Sequence, residues 1–148
     1  MGQITEVAAA IIMQGDRVLV TRRAPGQKLE GFWEFPGGKL HSGETPQECV
    51  VRELREELAV HLSAGDVIST SYYDYPGGAI KLIAIEAKVL SGEITLSVHD
   101  AFLWASPSDL ATLRLAPADV PIARKLDKSA AVSPRAAATS QTRREQAA

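Results

Sequence analysis

Cysteine, surplus basic charge and long apolar runs are all scarce in this sequence, and each shortage removes a class of protein. The single cysteine, Cys49, excludes an intramolecular disulfide framework and a thiolate-rich zinc cluster. Its neighbours Val50 and Val51 mark it as a buried thiol rather than a reactive one. Lys and Arg number 16 against 18 Asp and Glu, for a formal net charge of −2. That balance offers no electrostatic footprint for duplex nucleic acid or anionic lipid. No stretch nears the roughly 18 consecutive apolar residues of a membrane-spanning helix. The opening Met1-Gly2-Gln3-Ile4-Thr5-Glu6 has neither the positive start of a secretory leader nor the Ser or Thr that myristoylation needs at the sixth position. A cytoplasmic protein, with no membrane and no duplex nucleic acid as partner, is the expectation.

What the chain does have is 148 residues at 45% apolar content, enough for one domain with a core that needs no staples. Val7 to Met13 and Val18-Leu19-Val20 flank Gln14-Gly15-Asp16 and read as a β-hairpin. Residues 24–31, with Pro25, Gly26 and Gly31, read as a loop. Phe32-Trp33-Glu34-Phe35 reads as a short strand that stops in a glycine-rich turn at Pro36-Gly37-Gly38. The spacing predicts a helix over 46–58: Thr45 and Glu48 form a capping box, Pro46 takes the first helical position, and Val50, Leu54 and Leu58 make an apolar stripe. Val67 to Tyr75, Ile80 to Leu90 and Ala101 to Trp104 read as strands. A short helix follows from Pro107 and a longer one over Ala118 to Leu126. There is no internal repeat. Strands, helix, strands, helix is the order of an α/β domain with a mixed sheet and helices on its faces, here assigned to 1–128. Residues 129–148 hold no large apolar side chain except Val132 and are expected to form a disordered tail.

The chemistry is concentrated between Gly37 and Val60. Glu53, Glu56 and Glu57 stand at i, i+3 and i+4 and project from one helix face. Like charges on one face repel. They are tolerable in solvent, and they are also what a hard divalent cation requires. Arg52 and Arg55 lie beside them, and the preceding Gly37-Gly38-Lys39 offers backbone carbonyls to a metal and a lysine to phosphate. Trp33, Trp104, Phe32 and Phe102 read as core. Of Tyr72, Tyr73 and Tyr75, Tyr75 precedes a Pro-Gly-Gly turn and is the candidate for a base pocket.

Gly38, five residues, Glu44, seven residues, then Arg52-Glu53-Leu54-Arg55-Glu56-Glu57 resembles the signature box of the Nudix hydrolases at every position but one. The departure is Ala59, where the family has a glycine that ends the helix; an alanine held left-handed there should cost about 1 kcal/mol. Thr21-Arg22-Arg23-Ala24, Trp33-Glu34-Phe35-Pro36-Gly37-Gly38 and Leu115-Ala116-Pro117-Ala118-Asp119 resemble the MutT-type branch, and the likeness covers roughly residues 4–127. The resemblance implies an α/β/α sandwich around a mixed sheet and hydrolysis of a nucleoside triphosphate to a monophosphate and pyrophosphate. Mg²⁺ or Mn²⁺ would be bound by Glu53, Glu56, Glu57 and the Gly37 carbonyl, with Glu53 as the base, Arg52 and Glu56 completing the catalytic group and Glu44 supporting the loop. Arg23 and Lys39 would meet the phosphates, and Phe35, Tyr75 and Asp119 the base. A further metal-associated acid is expected before the penultimate strand, with Asp100 as the candidate and His99 as a packing residue. Asp119 also competes as a plain cap for the helix at Val120. The expected bases are oxidised guanine and cytosine or its 5-methyl form, so 8-oxo-dGTP and cytidine triphosphates are the expected substrates, and the protein a monomer or homodimer. Two other readings remain at this point. One is hydrolysis of a dinucleoside polyphosphate, nucleotide sugar or RNA 5′ end, and the other is a Nudix-fold binding module without catalysis.

Overall fold

Alternation along one central strand decides which helix lies on which face. In a computed structural model, which describes residues 3–132 and 144–147, that strand is β1 (Ile4–Gln14). Its Ala8, Ala10 and Ile12 pack with Cys49, Val50, Leu54 and Leu58 of helix α1 (Pro46–Leu58). The intervening Ala9 and Ile11 join Ile122 and Ala123 of helix α2 (Val120–Val132) on the opposite face. The period-2 geometry of a strand buried on both sides thus produces the expected α/β/α sandwich. Small residues at three positions of β1 let both helices approach the sheet closely.

The sheet is mixed. β1 runs parallel to β6 (Gly78–Ser91), with Ile4 opposite Ala79 and Ile12 opposite Ala87. β6 in turn pairs antiparallel with β5 (His61–Tyr75), which forms one edge. On the other side β1 meets β2 (Arg17–Arg23) only at the hairpin end, Met13–Val18 and Gln14–Arg17. β2 continues to β7 (His99–Ala105) and to β3 (Trp33–Glu34). Arg144–Ala147, strand β8, lies antiparallel to β7. α2 extends past the expected boundary at 128, and the expected tail otherwise falls on 133–143 and 148, outside the described residues. Among the described residues no helix is long and apolar enough to cross a membrane.

The glycine-rich segment differs from its sequence reading. Gly37–Lys39 is not a turn but a short strand, β4, antiparallel to β1 with Gly37 opposite Ala9 and Lys39 opposite Val7. The glycines serve close approach instead: a Cβ on Gly37 would collide with the Ala8 carbonyl and come within 2.7 Å of Ala9 Cα. The second helix also starts later than expected, at Val120, because Pro117–Asp119 forms a separate 3₁₀ turn.

α1 begins as its sequence dictates. Thr45 Oγ1 accepts from Glu48 N at 3.1 Å while Glu48 Oε1 accepts from Thr45 N at 2.9 Å. It ends at Ala59 in a left-handed conformation, φ 61° and ψ 30°, with Ala59 N donating to Arg55 O and Val60 N to Leu54 O. The Ala59 bond is the 5→1 closure of an αL helix end, built without its usual glycine. Ala59→Gly is therefore expected to raise stability by about 0.5–1 kcal/mol in denaturant melts, since glycine takes this conformation freely. Destabilisation would show that the helix end does not hold this geometry in solution.

Candidate active site

The site starts from one arginine. Arg52 on α1 grips Glu44 through two parallel hydrogen bonds, Nε to Oε2 at 2.7 Å and Nη2 to Oε1 at 2.9 Å. The same guanidinium donates to Glu53 Oε2 at 2.8 Å, to Glu56 Oε1 at 3.2 Å and to the Lys39 carbonyl at 3.1 Å. A planar fork with five donors can serve that many partners; a lysine cannot. The Arg52 guanidinium holds the Glu44 carboxyl down to a pKa of about 2. Glu44 also accepts from His41 N at 2.9 Å, so the loop before α1 is tied to the helix.

Glu53 is pressed against the backbone of β4. A Cβ on Gly38 would lie only 2.5 and 2.7 Å from the two Glu53 carboxylate oxygens, so the space belongs to the glutamate. Cys49 is buried, as its neighbours suggested, and its thiol donates to Gly38 O at 3.3 Å and Lys39 O at 3.5 Å. Burial pushes that thiol up to about 11, which keeps it protonated and unreactive. Glu57 behaves differently from its neighbours. Burial, then the charges of Glu53 and Glu34, push its carboxyl up to about 8, and once protonated it hydrogen-bonds Glu53. Glu56, by contrast, has a side chain 56% exposed.

The expected metal ligands are thus brought to one helix face but do not yet converge. Among the described residues no three His, Cys, Asp or Glu side chains meet at a common point, because Arg52 draws Glu53 and Glu56 to itself. The donor set nevertheless fits a hard cation. It consists of carboxylate and carbonyl oxygens, and a carboxyl forced to hold a proton beside another carboxylate is one that a divalent charge would ionise.

A cleft of about 600 Å³ opens from this cluster, in the size range of small-molecule sites. Arg23, Phe35, Gly37, Lys39, Tyr75 and Asp119, all expected in the site, line it, and so does Glu34. The three glutamates of α1 are not part of that wall; Glu53 meets it at Gly38. Asp119 is buried, and its Oδ2 accepts from Phe35 N at 2.9 Å, so its carboxylate bonds across to the strand before β4 instead of capping α2. Burial and the neighbouring Glu34 charge push this carboxyl well above its ordinary value.

Two neighbours on β7 take different partners. Asp100, the candidate acid, pairs with Arg22, whose Nε lies 2.8 Å from Asp100 Oδ1 and whose guanidinium covers Trp33. His99, expected as packing, is buried and reaches the site: its Nε2 is 2.9 Å from Glu34 Oε2. The same oxygen lies 3.0 Å from Arg23 Nε. Glu34 was not singled out by the sequence reading. The available signal was a lone carboxylate between Trp33 and Phe35, both of which alternation sends to the core.

A family model described as the NUDIX domain matches residues 4–126 of the chain. The chain is 34% identical over 120 residues to the CTP pyrophosphohydrolase of Escherichia coli, covering 81% of this chain and 89% of that protein. It is 31% identical over 124 residues to the 8-oxo-dGTP diphosphatase of the same organism, covering 83% and 96%. The solution structure of the E. coli ORF135 protein superposes with a TM-score of 0.77 at 32% identity, covering 90% of this chain and 95% of that one.

The two adjacent glycines separate fold from chemistry. An added methyl at Gly37 strikes backbone, so Gly37→Ala should lower stability by about 1–3 kcal/mol. At Gly38 the methyl strikes only the movable end of Glu53, so Gly38→Ala should melt within a few degrees of the parent while its turnover falls at least about tenfold. Paired thermal melts and rate measurements check both; an unaffected rate in Gly38→Ala would remove Glu53 from the reacting group.

Proposed function

The chain belongs to the NUDIX family, and from that premise we propose that it is a pyrophosphohydrolase converting a nucleoside triphosphate and water into a monophosphate and pyrophosphate. The observation that carries the reading is the meeting of two ends in one cleft. A carboxylate cluster ordered by Arg52 abuts the cleft at Gly38, and the buried Asp119 lines the same cleft, as do Arg23 and Lys39. The similarity to a CTP pyrophosphohydrolase and an 8-oxo-dGTP diphosphatase supports the same substrate class.

A divalent cation, Mg²⁺ or Mn²⁺, would be held by Glu53, Glu56, Glu57 and the Gly37 carbonyl, and when bound it neutralises phosphate charge and makes water more acidic. The protein's own groups do the rest. Arg23 and Lys39 are the cationic side chains of the cleft wall suited to the non-bridging phosphate oxygens, and they hold the chain of phosphates in line for displacement. Glu53, fixed by Arg52, takes the proton of the attacking water. The water oxygen bonds to the β-phosphorus as the bond from that phosphorus to the oxygen shared with the α-phosphate breaks, and the monophosphate leaves with that oxygen. Pyrophosphate release from a panel of canonical, oxidised and methylated nucleotides tests the assignment directly, and in this reading the work is done in the cytoplasm on the free nucleotide pool. Glu53→Gln keeps the shape of the side chain but removes a proton acceptor, so turnover should drop by about 10²–10⁴ in saturating Mg²⁺. A variant retaining half of the parent rate would place the base elsewhere.

Asp119 supports a choice of base. When ionised it only accepts hydrogen bonds, which suits the amine of cytosine or the N7–H of oxidised guanine. Its raised carboxyl pKa means that the proton stays on to higher pH than for an ordinary aspartate, and the protonated form donates. As pH rises through that value, donation is lost and acceptance gained, so kcat/KM should climb for CTP and for 8-oxo-dGTP alike, since each offers a donor there. Asp119→Asn, whose amide does not titrate, should flatten this dependence. A kcat/KM that ignores both pH and the substitution would remove Asp119 from base reading.

A further inference from the structure

The 3₁₀ turn that carries Asp119 has no cap of its own. Its N-cap position is Ala116, which offers no side-chain acceptor; Pro117 has no N–H and Asp119 N donates to Ala116 O at 2.9 Å, so Ala118 N is the one donor of the turn that needs a partner outside it. Strand β5 supplies what is missing. Tyr75 Oη accepts from Ala118 N at 3.0 Å, and four residues earlier the buried Ser71 Oγ donates to Ala118 O at 2.6 Å. One residue is therefore gripped on both its polar backbone groups by two side chains of a single strand face, and the next residue is Asp119. Tyr75 is half-buried, lines the same cleft as Asp119, and is braced by Tyr73 with ring centroids 4.7 Å apart.

The direction of the bond from Ala118 matters. The phenol oxygen is used as an acceptor, so its own hydrogen remains to be given away. Among the described residues no side chain or carbonyl accepts it. A polar hydrogen oriented by a fixed bond on its oxygen, on the wall of a ligand cleft, is a preorganised donor.

We propose that Tyr75 reads the base directly, its O–H donating to a ring or carbonyl acceptor that adjoins the donor accepted by Asp119. This rests on the reading of the cleft as a nucleotide site with Asp119 at its base end. The ionised carboxylate can only accept, and Tyr75 supplies the donor it lacks. Together they match any base edge on which a donor stands next to an acceptor. Cytosine presents N4–H₂ beside N3, and oxidised guanine presents N7–H beside O6. Unoxidised guanine presents two acceptors, N7 and O6, on that edge and leaves Asp119 facing a lone pair. The pair therefore suits the donor-beside-acceptor edges of cytosine and oxidised guanine and mismatches the N7–O6 edge of unoxidised guanine. Burial pushes the Tyr75 phenol above its ordinary value, so the donor is intact throughout the working pH range.

The test pairs an atom of the enzyme with an atom of the substrate. Tyr75→Phe keeps the ring and removes the hydroxyl; 3-deaza-CTP keeps the amine and removes the N3 acceptor. With the parent enzyme, kcat/KM should fall about tenfold from CTP to 3-deaza-CTP, mainly through KM, as for one lost hydrogen bond. Tyr75→Phe should lose the same on CTP and show no further loss on the analogue. Tyr75→Phe also frees Ala118 N and could shift Asp119. Ser71→Ala loosens Ala118 from the other side without touching the cleft, and it serves as the control for that effect, leaving the parent's tenfold preference for CTP over the analogue in place. If Tyr75→Phe lowers both nucleotides equally, or the parent does not distinguish them, Tyr75 is not a base reader and the proposal is overturned. If neither CTP nor 8-oxo-dGTP yields pyrophosphate with the parent enzyme, the underlying reading fails instead, and the two failures are told apart.

Discussion

Everything at the catalytic end hangs on the double hydrogen bond between Arg52 and Glu44. It joins a loop residue to the middle of a helix, and the rest of the guanidinium is then in place to hold Glu53, Glu56 and the Lys39 carbonyl. A side chain with one charge and five donors is the economical way to pack three carboxylates beside a strand of glycines. The glycines are the other half of the constraint. β4 can lie against β1 because Gly37 has no side chain, and Glu53 can lie against β4 because Gly38 has none. The position of Glu53, the proposed base, is thus set by two absences and one arginine.

The cluster is electrostatically unfinished. Glu57 has Glu53 and Glu34 as neighbours and too little solvent to screen them, so in the metal-free protein it holds a proton that an exposed glutamate would have released. Proton and cation compete for the same oxygens. A site built this way is expected to bind its cation more tightly as pH rises. Glu56, the most exposed of the proposed ligands, rests on Arg52.

Much of this was legible in the sequence because the information was local. The capping box at Thr45 and Glu48, the apolar stripe of α1 and the spacing from Gly38 to Glu57 each depend on residues a turn or two apart, and each reappears in the structure. The left-handed Ala59 was legible as a departure from pattern. What escaped was set by strand pairing. Gly37 and Gly38 read as a turn because glycines punctuate chains; the close packing of Gly37 on Ala8 is visible only once β1 is beside it, and the room Gly38 leaves for Glu53 only once α1 is. His99 and Asp100 are adjacent in sequence and take different partners, Glu34 and Arg22, so choosing between them required the bulged register with β2. Ser71, with no motif around it, acquires meaning only from Ala118, 47 positions away in the chain.

Glu34 lies within electrostatic reach of both ends of the cleft: its charge raises Glu57 on the phosphate side and Asp119 on the base side, while Arg23 lowers both. Changes at the two ends are therefore epistatic by construction. A lineage drifting from one base to another by altering Asp119 also changes the field felt by the proposed cation ligands, and its accessible mutational paths run through Glu34 and the two side chains that meet it, Arg23 and His99. Divergence of base preference in this scaffold is expected to leave its record in those three positions as much as in the residue that touches the base.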